Sequence, residues 1–439
     1  MDGSLKGPEK TVSQSTPGQS TDTLEDYPLG KRRAWSTVFG SFLILICATG
    51  VLQAFGVFEE FYATTWLTRY SASDISWIGS VQVFLELVIG AVGGKLYDSG
   101  YCRSMLWGGS SLFTFSILML SFIKPEQYYQ AFLAQAIGLG TSIGFLFVPA
   151  CTLVSHHFKT NKALAVGIIM AGGPLGGIIY SIMLNYLFHS KVGFGWGVRI
   201  AALFSGVCLL VGNLAISVPP PSPTPPSERK HSMKSMRDWP YLLTVVTGFV
   251  ILLETYFPVY FVQLFAKMHG VSQTLTFYCL ALINVANMIS RVGVNYYANK
   301  FGAINLFIIS CALNGGVIFG MLGAGTAPGL VLFSLFHGLF FGSTLSLYYP
   351  MIVDMAPSEA DMGKVMGYAW GPGGVAALIG PPLGGALLGK DFIWWRAVVF
   401  AALCFIVAAM IQLVARQIHV RRLKTRKEDS SQNSTTATN

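Results

Sequence analysis

Apolar runs of about 20 residues alternate with short polar breaks along almost the whole chain. Read with the turn and charge breaks between them, the runs predict twelve helices. Six lie at 35–58, 74–95, 104–123, 128–153, 163–188 and 196–218, and six more at 241–265, 274–298, 302–324, 327–353, 364–388 and 392–415. Runs of that length match a hydrocarbon layer of about 30 Å crossed by a helix rising about 1.5 Å per residue. The expected fold is an all-α integral membrane protein. Between the sixth and seventh runs the pattern breaks down. Residues 219–239 open on Pro219-Pro-Pro-Ser-Pro-Thr-Pro-Pro226 and continue with Arg229, Lys230, Lys234 and Arg237. They read as a linker between two six-helix bundles, 35–218 and 240–415. Residues 1–34 are polar and rich in Ser, Thr, Gly and Pro, the composition of a disordered tail. Residues 416–439 read as a basic tail.

Composition agrees with lipid as the solvent. Of 439 residues 53% are hydrophobic and 11% charged, against about 25% charged in an ordinary soluble domain. Many of the 48 glycines lie inside the apolar runs, which suits close helix approach in a bilayer. Charge sets the expected orientation. With both termini cytoplasmic, 21 of the 29 Lys and Arg residues fall on that side. Five (Arg69, Lys124, Lys191, Lys267, Lys390) fall on the other, and three (Arg199, Arg291, Arg396) within runs. That asymmetry follows the positive-inside rule, with the plasma membrane the expected location and a monomer the expected unit. The net charge of +9 then answers anionic lipid headgroups rather than nucleic acid. The seven cysteines form no C-x-x-C or Cys/His metal pattern and read as small core residues. No G-x-S-x-G, H-E-x-x-H or Walker sequence occurs, so neither an enzyme, a metal site nor a cofactor is expected. Without an ATP-hydrolysing motif, any energy the protein uses has to come from a gradient, with protons as one candidate.

The two halves repeat one another. Phe147-Val-Pro149, Lys162-Ala-Leu-Ala-Val-Gly167 and Gly172-Gly-Pro-Leu-Gly-Gly177 are followed about 200 residues later by Tyr349-Pro350, Lys364-Val-Met-Gly367 and Gly371-Pro-Gly-Gly374. A duplicated six-helix unit places a solute site between the halves near the bilayer midplane. Between the second and third runs stands Gly93-Gly-Lys-Leu-Tyr-Asp98-Ser-Gly100-Tyr-Cys-Arg103, a short loop whose Asp98, Gly100 and Arg103 can bridge neighbouring helix ends. It resembles the loop signature of the major facilitator superfamily. Its second copy, Asn295-Tyr-Tyr-Ala-Asn299-Lys300-Phe-Gly302, has Asn299 in place of the acid. Together with Gln53-Ala-Phe-Gly-Val-Phe58 and Ile75-Ser-Trp-Ile-Gly79-Ser, the chain resembles the fungal branch of the monocarboxylate porter family over most of residues 30–415. The resemblance implies two pseudo-symmetric six-helix bundles, the major facilitator fold, working by alternating access on a small organic solute. Members with this look include nutrient importers and exporters of secondary metabolites. Proton-linked members carry a lysine late in the first helix and an Asp/Arg pair in the eighth. Here Gln53 and Asn287 stand at the lysine and aspartate positions, and only Arg291 remains.

Ionisable residues inside the runs are the leading candidates for the site, because charge in hydrocarbon needs a partner or a watery cavity. Glu254 and Glu86 are the candidates for proton coupling. Arg291, far from both ends of its run, is the candidate for solute binding. Its charge can be met by an anionic group on the solute, a glutamate from another helix, or carbonyl and water contacts. Gln53, Asn287, Tyr256, Tyr260 and Tyr348 complete the expected substrate contacts. Arg199 and Arg396 read as snorkelling to the interface. Export of a secondary metabolite is the leading functional expectation. Uptake of a monocarboxylate or vitamin-like nutrient is the alternative, and a non-transporting nutrient sensor a third.

Overall fold

The structure, a computed structural model, describes residues 30–158, 162–218, 238–353 and 362–436. Residues 1–29 of the expected N-terminal tail and nearly all of the expected linker lie outside the described residues, and the last residues of that tail, from Lys31, already belong to the first helix. Within them the chain forms twelve long helices. The first half contains α1 (Lys31–Trp66), α2 (Ala72–Asp98), α3 (Cys102–Leu120), α4 (128–157), α5 (162–188) and α6 (Gly193–Ala215). The second contains α7 (Trp239–Met268), α8 (Gln273–Phe301), α9 (Ala303–Gly323), α10 (Ala327–Val353), α11 (Met362–Leu388) and α12 (Trp394–Thr436). Eleven of the twelve contain a stretch long and apolar enough to cross a membrane. The exception is α3, where Arg103, Ser104, Ser110 and Ser111 dilute the apolar residues.

Two boundaries differ from those read in the sequence. The first helix does not stop at residue 58 but runs to Trp66, because Glu59 and Glu60, which look like a polar stop, are buried inside the protein. The last helix continues past its apolar part to Thr436.

Corresponding local features recur in the two halves. Pro149 lies inside α4 and Pro350 inside α10. The α2–α3 and α8–α9 turns each hinge on a glycine in the left-handed region, Gly100 (φ 87°) and Gly302 (φ 82°), where a Cβ is disfavoured. Both α1 and α7 are interrupted partway, at Ala54 and at Thr255–Tyr256. In α7, Pro258 opens the second segment at a position where its missing N–H costs nothing.

Helix alternation puts the start of α1 and the end of α6 on one face, where Ser36 donates to the Ala215 carbonyl at 2.6 Å. We call this the terminal face and its opposite the distal face. Inside the first half, α1 and α5 meet glycine to glycine. A Cβ on Gly50 would stand 2.7 Å from the Gly176 Cα, an approach that only small residues permit. Between the halves the tight contacts lie toward the distal face, where α1 meets α7, α2 meets α11, and α5 meets α8. A Cβ on Gly56 of α1 would lie 2.5 Å from the Val259 carbonyl of α7, and one on Gly385 of α11 would lie 2.8 Å from the Ser73 nitrogen of α2. Toward the terminal face, a Cβ on Gly94, Gly167, Gly293 or Gly371 would meet nothing within 4 Å. These four glycines belong to α2, α5, α8 and α11, so among the described residues the halves meet distally and diverge toward the terminal face.

Candidate functional site

Two polar arrangements lie where the halves meet. The first surrounds Arg291 on α8. Its Nε donates to Asn287 Oδ1 one turn earlier at 2.8 Å, and Nη1 donates to the Met170 carbonyl of α5 at 3.3 Å. That carbonyl is free for a local reason. Its helical partner four residues on would be the N–H of residue 174, and Pro174 has none. The proline thus opens an acceptor in the first half that a guanidinium from the second half takes up. Asn287 is fully buried, and its Nδ2 has no hydrogen-bond partner among the described residues.

Glu86 on α2 and Tyr256 at the α7 break lie within electrostatic reach of Arg291 and of each other. Among the described residues no ion pair joins Glu86 to Arg291. The guanidinium is therefore held by an amide and a carbonyl, with a carboxyl nearby. A guanidinium does not readily give up its proton, and its remaining N–H groups are available to an anionic or carbonyl oxygen.

The other predicted site residues divide. Tyr260 joins this region: its ring lies 5.7 Å from that of Tyr256 and 4.5 Å from that of Phe55 on α1. Gln53 is the last residue before the α1 break and is 7% exposed. Glu254 lies just ahead of the α7 break but turns into the second half, toward Gly384 of α11 and Cys404 of α12. Both of its oxygens are buried without a partner among the described residues. Tyr348 also lies within the second half. Its hydroxyl donates to the Thr244 carbonyl at 3.3 Å, and its ring packs edge-on against Trp370. Gly100 provides the left-handed turn after α2, and Arg103 is exposed at the start of α3. The Asp98 side chain lies outside the described residues. Arg199 stacks over Phe122 and Trp196 near the distal face, the setting of a snorkelling arginine.

The second arrangement closes the distal face, and the sequence reading missed it. Glu60 of α1 is 3% exposed. One of its oxygens accepts from Lys267 at the end of α7, and the other lies 3.8 Å from His189 at the end of α5. Beside this bridge Asn185 donates to the Phe277 carbonyl at 3.1 Å, Gln263 donates to Asn185 at 3.3 Å, and Ser73 donates to the Pro382 carbonyl at 2.9 Å. A cavity of about 300 Å³ lined by Glu60, His189, Lys267, Gln273, Thr276 and Phe277 lies next to the bridge. The signal available in the sequence was Phe58-Glu-Glu-Phe61-Tyr: aromatic residues on both sides of two acids mark a helix that continues rather than ends.

Two sets of six long helices, eleven of the twelve apolar enough to cross a membrane, joined at one face, divergent toward the other and holding buried charge where they meet, define a membrane transporter. The chain belongs to the Major Facilitator Superfamily, whose model matches residues 34–332. It is 31% identical to the aspyridones efflux protein apdF of Emericella nidulans over 90% of this chain and 80% of that protein. It is 32% identical to the MFS-type transporter dbaD of the same organism, over 87% of this chain and 86% of that one. The agnestins efflux protein of Paecilomyces divaricatus is 31% identical over 92% of this chain and 91% of its own length. None of these three is named for a monocarboxylate. Among solved structures, the crystal structure of the nucleoside transporter NupG superposes with a TM-score of 0.65 at 12% identity, covering 87% of this chain and 99% of that one. That likeness bears on the fold alone.

Proposed function

We propose that this protein exports a small organic secondary metabolite by alternating access, exchanging it for protons, with the terminal face in the cytoplasm of a fungal cell and the plasma membrane as its location. The observation that carries the reading is the relationship to efflux proteins over about nine-tenths of the chain. The site is compatible with it. Tyr256, Tyr260 and Phe55 offer aromatic surface to a largely apolar solute, and Arg291 is the single cation among them, suited to one acidic or carbonyl group. Glu86, beside Arg291, is the carboxyl placed to exchange a proton as solute binds. Glu254 is the alternative.

The test is deletion of the gene in its own host, followed by mass spectrometry of metabolites inside and outside the cells. Loss should raise one metabolite inside and lower it in the medium, and restoring the gene should reverse both changes. Unaltered ratios for every metabolite would refute export.

The presence of Arg291 between the halves favours one second reading, uptake of a monocarboxylate. Proton-stimulated accumulation of radiolabelled lactate by cells expressing the protein would establish it. Gln53 and Asn287, standing where the proton-linked porters carry Lys and Asp, weigh against it.

A further inference from the structure

Glu59 takes part in neither arrangement. It neighbours the bridging Glu60 on α1, but consecutive helical residues point about 100° apart, and the Glu59 side chain turns into the protein. It is fully buried, and among the described residues neither of its oxygens has a hydrogen-bond donor or a cation within reach. Three phenols lie within electrostatic reach of it: Tyr62 on its own helix, Tyr128 on α4 and Tyr260 on α7. Besides Glu60, Asp74 of α2 lies within electrostatic reach of Tyr128, and Glu86 of α2 within that of Tyr260. Lys267 and His189 serve Glu60 instead. Tyr62 already donates its hydrogen bond to Gln135 Oε1 at 2.8 Å, whereas the Tyr260 hydroxyl is buried without a partner among the described residues.

A carboxylate in this setting has nothing to compensate it, whereas the neutral acid needs much less. Glu59 also lies in the α1 segment, Phe55–Phe61, that packs directly on α7. Separation of α1 from α7 would expose it to water from the distal side. On the inner side, Tyr260 lies within electrostatic reach of both Glu59 and Glu86. One phenol thus senses both the distal carboxyl and the carboxyl beside Arg291.

We propose that Glu59 is the distal proton-binding site of the transport cycle: it takes up a proton when α1 and α7 part, keeps it while the distal face is closed, and passes it toward Glu86 by way of Tyr260. The proposal rests on the proton-exchange reading above and names the residue that loads. In loading, a distal hydronium ion transfers its proton to one carboxylate oxygen of Glu59, forming the O–H bond and leaving a water molecule. In discharge, that O–H bond breaks, the Tyr260 oxygen accepts the proton as its own proton moves on to the Glu86 carboxylate, and Glu59 returns to the carboxylate.

The test needs no solute. Infrared spectra of the purified full-length protein in lipid are recorded in the carboxylic-acid C=O stretching region, for the wild type and for Glu59→Gln, Glu86→Gln and Glu254→Gln. The expected result is a band that Glu59→Gln alone removes. Should Glu59→Gln not fold, Glu59→Asp should move the same band. A second variant separates an exchangeable proton from a permanent one. Gly56→Leu cannot fit its side chain against the Val259 carbonyl and holds α1 and α7 apart. Spin-label distances across the distal face verify the opening in the same sample. If Gly56→Leu does not fold or open, Lys267→Met takes its place. In the opened protein the Glu59 band should disappear at lower pH than in the wild type. The proposal is overturned if Glu59→Gln leaves the spectrum unchanged, which means an ionised Glu59. It is equally overturned if the band in the opened protein persists to the same pH as in the wild type, which means a fixed structural acid. Failure of the export reading would appear in the metabolite measurement and leave these spectra unaffected.

Discussion

Replacing Lys267 by Met tests whether the distal bridge holds the halves together. The substitution keeps an unbranched side chain of similar length and removes the charge that answers Glu60. Glu60 is 3% exposed, whereas the Lys267 side chain is 46% exposed. Breaking a fully buried pair costs about 3–5 kcal/mol, because one charge is left unpaired. An exposed pair contributes about 0.2–1 kcal/mol. With one partner buried and the other half in water, about 1–2 kcal/mol is appropriate, and His189 at 3.8 Å limits the loss. At about 1.4 kcal/mol per tenfold change, the ratio of distally open to closed protein should rise about fivefold to thirtyfold. Pulsed electron spin resonance on Val192→Cys and Ser272→Cys, on the α5–α6 and α7–α8 loops of opposite halves, reads that ratio as a growing long-distance population. Cys208, the partly exposed native cysteine, is replaced by serine in this background. The double variant Glu60→Gln/Lys267→Met should regain most of the closed population, since no buried charge remains unpaired. A distance distribution in Lys267→Met identical to that of the parent would show that the bridge contributes nothing to closure.

Three other outcomes follow from the geometry. Arg291→Lys should leave the protein abundant in the membrane but reduce transport of the exported metabolite about tenfold or more, because an ammonium cannot hold Asn287 and the Met170 carbonyl while offering a planar fork to the solute; transport at the wild-type rate would remove Arg291 from solute binding. Glu86→Gln should abolish the dependence of net export on a pH gradient while exchange of labelled solute continues. Glu254→Gln, which alters a carboxyl directed at Gly384 and Cys404, should leave that dependence in place; the opposite result would move proton coupling into the second half. Gly176→Leu should lower the amount of folded protein in the membrane by several fold, since the α1–α5 contact has no space for a side chain and overpacking costs about 1–3 kcal/mol or more. Normal abundance by fluorescence-detected size exclusion would contradict that packing.

The fold was legible because lipid imposes a coarse rule. Each crossing needs a long apolar run, and the short polar breaks between runs stand out against it. Pairing between helices was less legible, since no local pattern declares which glycines face each other. The sequence could single out Arg291 as a charge without a neighbour, but only the folded chain brings it to the Met170 carbonyl, which Pro174 leaves without a helical donor. Glu254 and Glu86 look alike as isolated acids in apolar runs. They differ in direction, one into the second half and one toward Arg291, and that difference depends on helix rotation set by neighbours 100 or more residues away. Glu59 and Glu60 went unseen for the opposite reason. Two consecutive acids look like the end of a membrane span, and only burial by α4, α5 and α7 shows that the helix passes beyond them.

The distal seal relies heavily on main-chain atoms. Gly56 abuts the Val259 carbonyl, Asn185 and Ser73 donate to the carbonyls of Phe277 and Pro382, and Gly385 lies against the backbone of Ser73. Carbonyl groups are the same whatever side chain accompanies them. A gate of this kind leaves much of the aromatic surface around Tyr256 and Tyr260 free to diverge from one descendant to the next. Under the export reading, the pocket can therefore be reshaped in small steps while the closing surface is inherited intact.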